Sequence, residues 1–214
     1  MLRYDTRGHG GPGRGSAPVT LERLGRDAVG LLDALGIARA HFCGISMGGM
    51  TGQWLAIHHP DRIDRLVLAN TAARIGTAEG WSARSRQVRR EGMDGVADGA
   101  AARWFTPGFI AREPGTVAHM IGRLREQDRE GYAACCDALA GADLRGLAGS
   151  ITTRTLVIAG EHDPVTTLED GKWLATAMPD AELAPVPASH LSNIEAAAAF
   201  TGAMRRFLAL PAAC

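Results

Sequence analysis

Residues 41–50 read HFCGISMGGM, a short apolar run followed by Ser46 set among Gly44, Gly48 and Gly49. A strand usually excludes glycine, and a helix start does not need three of them. A turn tight enough to admit only hydrogen side chains beside the serine accounts for both. Such a strand–turn–helix elbow lifts a serine hydroxyl clear of a sheet. Gly44 and Gly48, two residues to either side, are expected to keep side chains out of the space on which the turn closes. The pattern alone is weak, since seven serines and 27 glycines in 214 residues yield about 0.1 chance matches. Its context is the stronger signal. An apolar run precedes it, and a helical pattern through Trp54, Leu55 and Ile57 follows and closes at Pro60.

Working outward, the runs HFCG (41–44), RLVLAN (65–70) and RTLVIAG (154–160) each predict a strand buried on both faces, as a parallel sheet requires. AELAPVPAS (181–189) carries Pro185 and Pro187 and suits an edge strand. Helical patterns alternate with these runs. Leu21, Leu24, Ala28, Leu31, Leu32 and Leu35 recur at spacings of three and four, with Thr20 as N-cap and Gly36 as stop. Further helices are predicted over Leu168 to Met178 and Ala196 to Leu208. This alternation is the grammar of an α/β fold with a mostly parallel sheet.

Between residues 76 and 147 strand-like runs vanish, and helical stretches punctuated by Gly92, Pro107, Pro114 and Gly131 replace them. Three parts follow: 1–75 and 148–214 as the two portions of one core, and 76–147 as a helical cap inserted between its strands. Trp81, Trp104, Phe105, Phe109 and Tyr132 gather in the insertion. They read first as a small core of its own, and second as a ligand box.

Composition excludes several functions. Lys+Arg and Asp+Glu are equal at 23 each, so no basic field invites nucleic acid and no polybasic face suggests a membrane. No apolar run approaches the roughly 20 residues of a membrane span, and the N-terminus does not read as a signal peptide. Cys43, Cys135, Cys136 and Cys214 form no C-x-x-C pair, which argues against a zinc site or a redox motif. Cys43 reads as a small buried apolar residue, Cys135 and Cys136 as helical, and all as reduced thiols in a cytoplasm.

A serine hydroxyl needs a base within hydrogen-bond reach. The elbow orders its partners along the chain, an acid after a late strand and then a histidine. LVIAGEHDP (156–164) supplies Asp163 in a turn fixed by Pro164, and PASHLSNI (187–194) supplies His190 before the last helix. Taken singly, these read as a turn aspartate and a capping or surface histidine. Taken in order, each after its strand, they read as catalytic. His190 would take the Ser46 proton, Asp163 would hold the imidazole tautomer, and the Met47 backbone N–H would bind the oxyanion. No metal or cofactor is required.

RYDTRGHG (3–10), FCGISMGGMTGQWLA (42–56), RLVLANTAARIGT (65–77), GYAACCDAL (131–139), TLVIAGEHDP (155–164) and ASHLSNIE (188–195) together resemble the 3-oxoadipate enol-lactonases. These are α/β-hydrolases of aromatic-compound catabolism. The resemblance extends from residue 3 to about residue 208 and is most particular in LANTAARIGT, GYAACC and HLSN. It implies the α/β-hydrolase fold and opening of a small-molecule enol-lactone to 3-oxoadipate in the β-ketoadipate pathway. Ser46, Asp163 and His190 match the family triad. The implied substrate carboxylate calls for a cation, for which Arg103 and Trp104 are candidates; a surface arginine and a packed tryptophan are the alternative. A carboxylesterase, a perhydrolase or a C–C hydrolase would use the same machinery.

Against that family the chain is expected to start late. Only Met1 and Leu2 precede Arg3, so the N-terminal strands of the full fold and the loop giving a second oxyanion N–H would be missing. A truncated reading frame with impaired catalysis, or a remnant that only binds, follows as an expectation, with an unpaired apolar sheet edge.

Overall fold

The computed structural model describes residues 1–9 and 18–208; Gly10, at the end of RYDTRGHG, and Cys214 lie outside them. After an irregular N-terminal segment come α1 (Leu21–Ala34), β1 (Ala40–Ile45), α2 (Met47–His58) and β2 (Ile63–Ala69). Six helices follow: α3 (Ala78–Glu91), α4 (Asp94–Asp98), α5 (Ala100–Trp104), α6 (Pro107–Arg112), α7 (Pro114–Arg125) and α8 (Arg129–Ala140). The chain then returns through β3 (Thr155–Gly160), α9 (Leu168–Ala177), β4 (Ala181–Val186), α10 (Ser192–Glu195) and α11 (Ala197–Leu208). The sheet has the order β1-β2-β3-β4, with every neighbouring pair parallel. This is an α/β fold with a parallel sheet, and six helices lie between β2 and β3, within the stretch 76–147 that was expected to be an insertion.

Local chemistry sets the element ends. The Thr20 hydroxyl accepts the Arg23 N–H at 3.1 Å and starts α1. Gly36, at φ 66°, closes it: its N–H donates to Asp33 O and the following Ile37 N–H to Leu32 O. Leu21, Leu24 and Ala28 are buried, but Leu35 lies beyond the last helical turn and is 51% exposed. β4 tolerates Pro185 because it sits at an edge of the sheet, opposite Ala159, where an absent N–H costs no ladder bond on the free side.

One face of the sheet packs under α1, α2 and α9, through Met50, Trp54, Leu55, Leu66, Leu68, Val157 and Leu174. Burying such side chains stabilises by about 1.5–3 kcal/mol each. The other face packs against α11, where Phe200, Ala203 and Phe207 meet Val67, Leu156 and Ile158. β2 and β3 are buried on both faces as expected, but β1 is not. His41 and Cys43 are exposed, so the expectation of a buried Cys43 was wrong. β1 is the other edge of the described sheet, and α11 lies over β2 to β4, leaving the Cys43 face uncovered. Cys135 and Cys136 are helical and buried in α8. Among the described residues no helix is long and apolar enough to cross a membrane.

Candidate active site

All the parallel strands point their C-terminal ends at one region, the usual place for a site in an open α/β sheet. Ser46 follows β1 directly, at φ 54° and ψ −118°, and α2 starts on the next residue. A non-glycine residue held at positive φ is strained, and here three bonds hold it. The Ser46 N–H donates to Ala69 O at 3.0 Å and to Asn70 O at 3.1 Å, while its carbonyl accepts the Thr71 hydroxyl at 2.7 Å. The glycine requirement is real at position 44, where a Cβ would lie 2.1 Å from the Gly48 carbonyl oxygen. At position 48 the expectation fails, because a Cβ there meets nothing within 4 Å. The crowded partner is Gly49, where a Cβ would lie 2.6 Å from the Thr71 side chain.

The three residues separated in sequence meet. His190 Nε2 is 3.0 Å from Ser46 Oγ, and His190 Nδ1 is 2.8 Å from Asp163 Oδ2. Both distances fall within hydrogen-bond range. Asp163 and His190 are each only 5% exposed, so the pair is screened from water. Asp163 needs further donors to remain charged there, and it has them. Its Oδ1 accepts the N–H groups of Val165 at 2.7 Å and Thr166 at 3.1 Å. Its Oδ2 accepts the Thr166 hydroxyl at 2.8 Å and Asn70 Nδ2 at 2.9 Å. Burial pushes the Asp163 carboxyl up; the bond and charge of His190, with the bonds from Asn70 and Thr166, outweigh it and hold the group below its ordinary value.

Asn70 is the site residue that sequence reading missed. It follows β2 at φ 41°, donates to Asp163 Oδ2 and to Ser189 O, and accepts the Ser192 hydroxyl on Oδ1. Its one signal was its place in LANTAARIGT, at a strand end beside the elbow.

A cavity of about 440 Å³ opens above Ser46 and His190, with Met47 in its wall. Met47 is the first residue of α2, where backbone N–H groups lack intrahelical acceptors and the helix end favours negative charge. The insertion supplies another wall: Trp81 and Arg84 from α3, Arg103 and Trp104 from α5, and Tyr132 and Cys136 from α8. The aromatics therefore divide between the two readings. Phe105 and Phe109 stack at 5.0 Å in a buried cluster, whereas Trp81, Trp104 and Tyr132 line the cavity. Arg103 lines it too, although its Nη2 donates to Val96 O at 2.8 Å. Among the described residues no group of three or more His, Cys, Asp or Glu side chains is placed to hold a metal ion.

This arrangement can pass a proton from an alcohol to an imidazole braced by a carboxylate, beside helix N–H groups suited to an oxyanion. Comparison with known proteins agrees with that chemistry. The family model of the alpha/beta hydrolase fold matches residues 1–109. The chain is 49% identical over 211 residues to 3-oxoadipate enol-lactonase 2 of Acinetobacter baylyi, covering 97% of this chain and 79% of that one. It is 42% identical to 3-oxoadipate enol-lactonase 1 of the same organism, covering 91% of this chain and 73% of that one. The crystal structure of the enol-lactonase from Burkholderia xenovorans superposes with a TM-score of 0.94 at 48% identity, covering 97% of this chain and 80% of that one. With this fold and these relatives, the chain belongs to the 3-oxoadipate enol-lactonase family of α/β-hydrolases, enzymes that hydrolyse ester bonds.

Proposed function

We propose that this hydrolase opens 3-oxoadipate enol-lactone to 3-oxoadipate, using Ser46 as nucleophile, His190 as base and then acid, and Asp163 as the group that orients and charges His190. The observation that carries the reading is the Ser46–His190–Asp163 relay, with spacings of 3.0 and 2.8 Å, in a chain 49% identical to an enol-lactonase.

A lactone is an internal ester. As Ser46 Oγ bonds to the carbonyl carbon, its proton passes to His190 Nε2, and the carbonyl oxygen becomes an oxyanion facing the Met47 N–H. Collapse of that intermediate breaks the ring C–O bond. The departing enolate oxygen takes the proton from His190, and the enol relaxes to a ketone. The leaving group stays attached through the carbon chain, so the acyl-enzyme holds the whole substrate. Water, deprotonated by His190, then attacks the acyl carbon; Ser46 leaves and regains its proton, freeing the carboxylate product. Arg103 and Trp104 contribute to the wall that receives the rest of the substrate.

The test is the rate of enol-lactone loss, followed by its ultraviolet absorbance, beside the rates on p-nitrophenyl esters. Enol-lactone turnover should dominate, and Ser46→Ala should lower kcat by at least about 10⁴-fold. Labelling of Ser46 by a fluorophosphonate, with no preference for the lactone, would instead assign the relay to a carboxylesterase.

A further inference from the structure

The cavity carries positive charge that the proton transfers of Ser46 and His190 do not use. Arg84 and Arg103 both line it, and its lining residues among those described include no Asp or Glu. Two like charges therefore face one partly dehydrated space without a counter-charge in its walls. The strain registers on Arg103, whose guanidinium is shifted below its ordinary value by burial first and by the positive charge of Arg84 second. A cavity built this way is most favourable when an anion enters it.

The two arginines are not equivalent. Arg103 donates from Nη2 to the Val96 carbonyl, so part of its fork serves the insertion itself. Arg84 is held by flanking contacts. Its Cζ lies 5.0 Å from the centroid of the Trp81 ring, and Tyr132 lines the same cavity. Trp81 is fixed in turn, its Nε1 donating to Ile75 O at 2.6 Å. An indole beneath and a phenol beside the guanidinium limit its rotamers while leaving donors of a planar fork for a ligand. A fork pre-positioned in this way matches a carboxylate, which it can bind through two parallel N–H···O bonds.

We propose that Arg84, braced by Trp81 and Tyr132, forms a carboxylate-binding subsite that selects esters and lactones with a free carboxylate remote from the reacting carbonyl. Arg103 adds attractive field without being the principal contact. The proposal rests on the reading of Ser46 as nucleophile in the same cavity, and it names the residue that sets substrate choice there.

The experiment compares two substrates that differ only at the far end: mono-p-nitrophenyl adipate, which ends in a carboxylate, and p-nitrophenyl hexanoate, which ends in a methyl group. The readout is the ratio of their kcat/KM values. Arg84→Met should lower that ratio about 100-fold, and Arg84→Lys, which keeps the charge and loses the fork, about tenfold. Arg84→Gln removes the charge but keeps a polar amide on the side chain, and guards against a loss of fold in the methionine variant. A second measurement needs no turnover: calorimetric titration of Ser46→Ala with adipate, with and without Arg84→Gln, should show binding about 100-fold weaker in the double variant. A ratio that moves less than threefold, or one that collapses with Arg103→Met and not with Arg84→Met, overturns the proposal. If the ratio depends on Arg84 while the enol-lactone is not turned over, the subsite stands and the lactone assignment falls.

Discussion

Ser46, Asn70, Asp163 and His190 each lie within four positions past the C-terminal end of a parallel strand. Trp81, Arg84, Arg103, Trp104 and Tyr132, which face them across the cavity, all come from the inserted helices. The two groups are positioned by different forces. Strand ends are fixed by ladder bonds and by a core buried on two faces. The helices of the insertion are held to one another by side-chain packing and by surface pairs such as Arg89 with Glu130 and Asp137, each at 2.8 Å. Surface pairs contribute at most about 1 kcal/mol each. Under the proposed function this is a division of labour: chemistry common to any ester would sit on the strand ends, and choice among esters on the helices that tolerate change. Glu195 joins them, accepting the Ser189 N–H at 2.9 Å and both the N–H and the hydroxyl of Thr106.

The sharpest way to break that division is to damage a strand end without touching Ser46, His190 or Asp163. Asn70→Ala removes one of the donors that keep Asp163 charged and the brace on Ser189 and Ser192. Loss of a bond to a buried carboxylate, with alanine left at φ 41°, should cost about 2–3 kcal/mol of stability. The kcat should fall about 100-fold on carboxylated and neutral esters alike. Stopped-flow rates and urea midpoints check both. A loss confined to carboxylated esters would place Asn70 with the insertion and undo the comparison.

A smaller effect is expected at the seam. Gly8, at φ 87°, meets Gly131 of α8, where a Cβ would lie 2.0 Å from the Gly8 carbonyl oxygen. This contact sets RYDTRGHG against GYAACC, with the Cys135 thiol 3.5 Å from Arg7 O and His9 in the cavity wall. Gly131→Ala should force α8 and the loop apart and destabilise by about 1–3 kcal/mol. Ser46 should still label with a fluorophosphonate, while KM for a carboxylated ester rises. Loss of labelling in step with KM would mean that the two regions are not separable.

What the sequence disclosed follows the same line. RLVLAN and RTLVIAG were legible because burial on both faces writes an unbroken apolar run. HFCG looked the same and was misread on Cys43, since an edge strand has the composition of a central one while only some of its side chains are covered. The relay was legible because an elbow fixes the order of its partners. Asn70 was not, because its work is done by a side chain reaching a carboxylate 93 positions away. Arg84 was hidden among the arginines of α3, whose other members face solvent or carboxylates. Arg103 and Trp104 were named for the substrate carboxylate that the resemblance implies, and both line the cavity; no local pattern distinguishes a cavity-facing cation from a surface one.

The gentlest test concerns acid. Asp163 titrates below its ordinary range in the folded chain, because the bond and charge of His190 and the donors on Asn70 and Thr166 outweigh burial. As pH falls, the unfolded chain therefore takes up this proton before the folded chain does, and stability must drop with it. The contribution is complete above the unfolded carboxylate value of about 3.9 and is lost as pH falls through the lower folded value. Asp163→Asn has nothing to titrate there, so the urea midpoints of the parent and the variant should draw together over that window. The exposed Arg145–Asp143 pair offers the contrast. Its carboxyl is held down to about 2 by the Arg145 hydrogen bond, yet it stands in solvent, where screening leaves little effect on stability. If the Asp143→Asn curve converges with the parent as strongly as the Asp163→Asn curve does, the strand-end network is no tighter than the surface, and its rigidity cannot be what separates the sheet from the insertion.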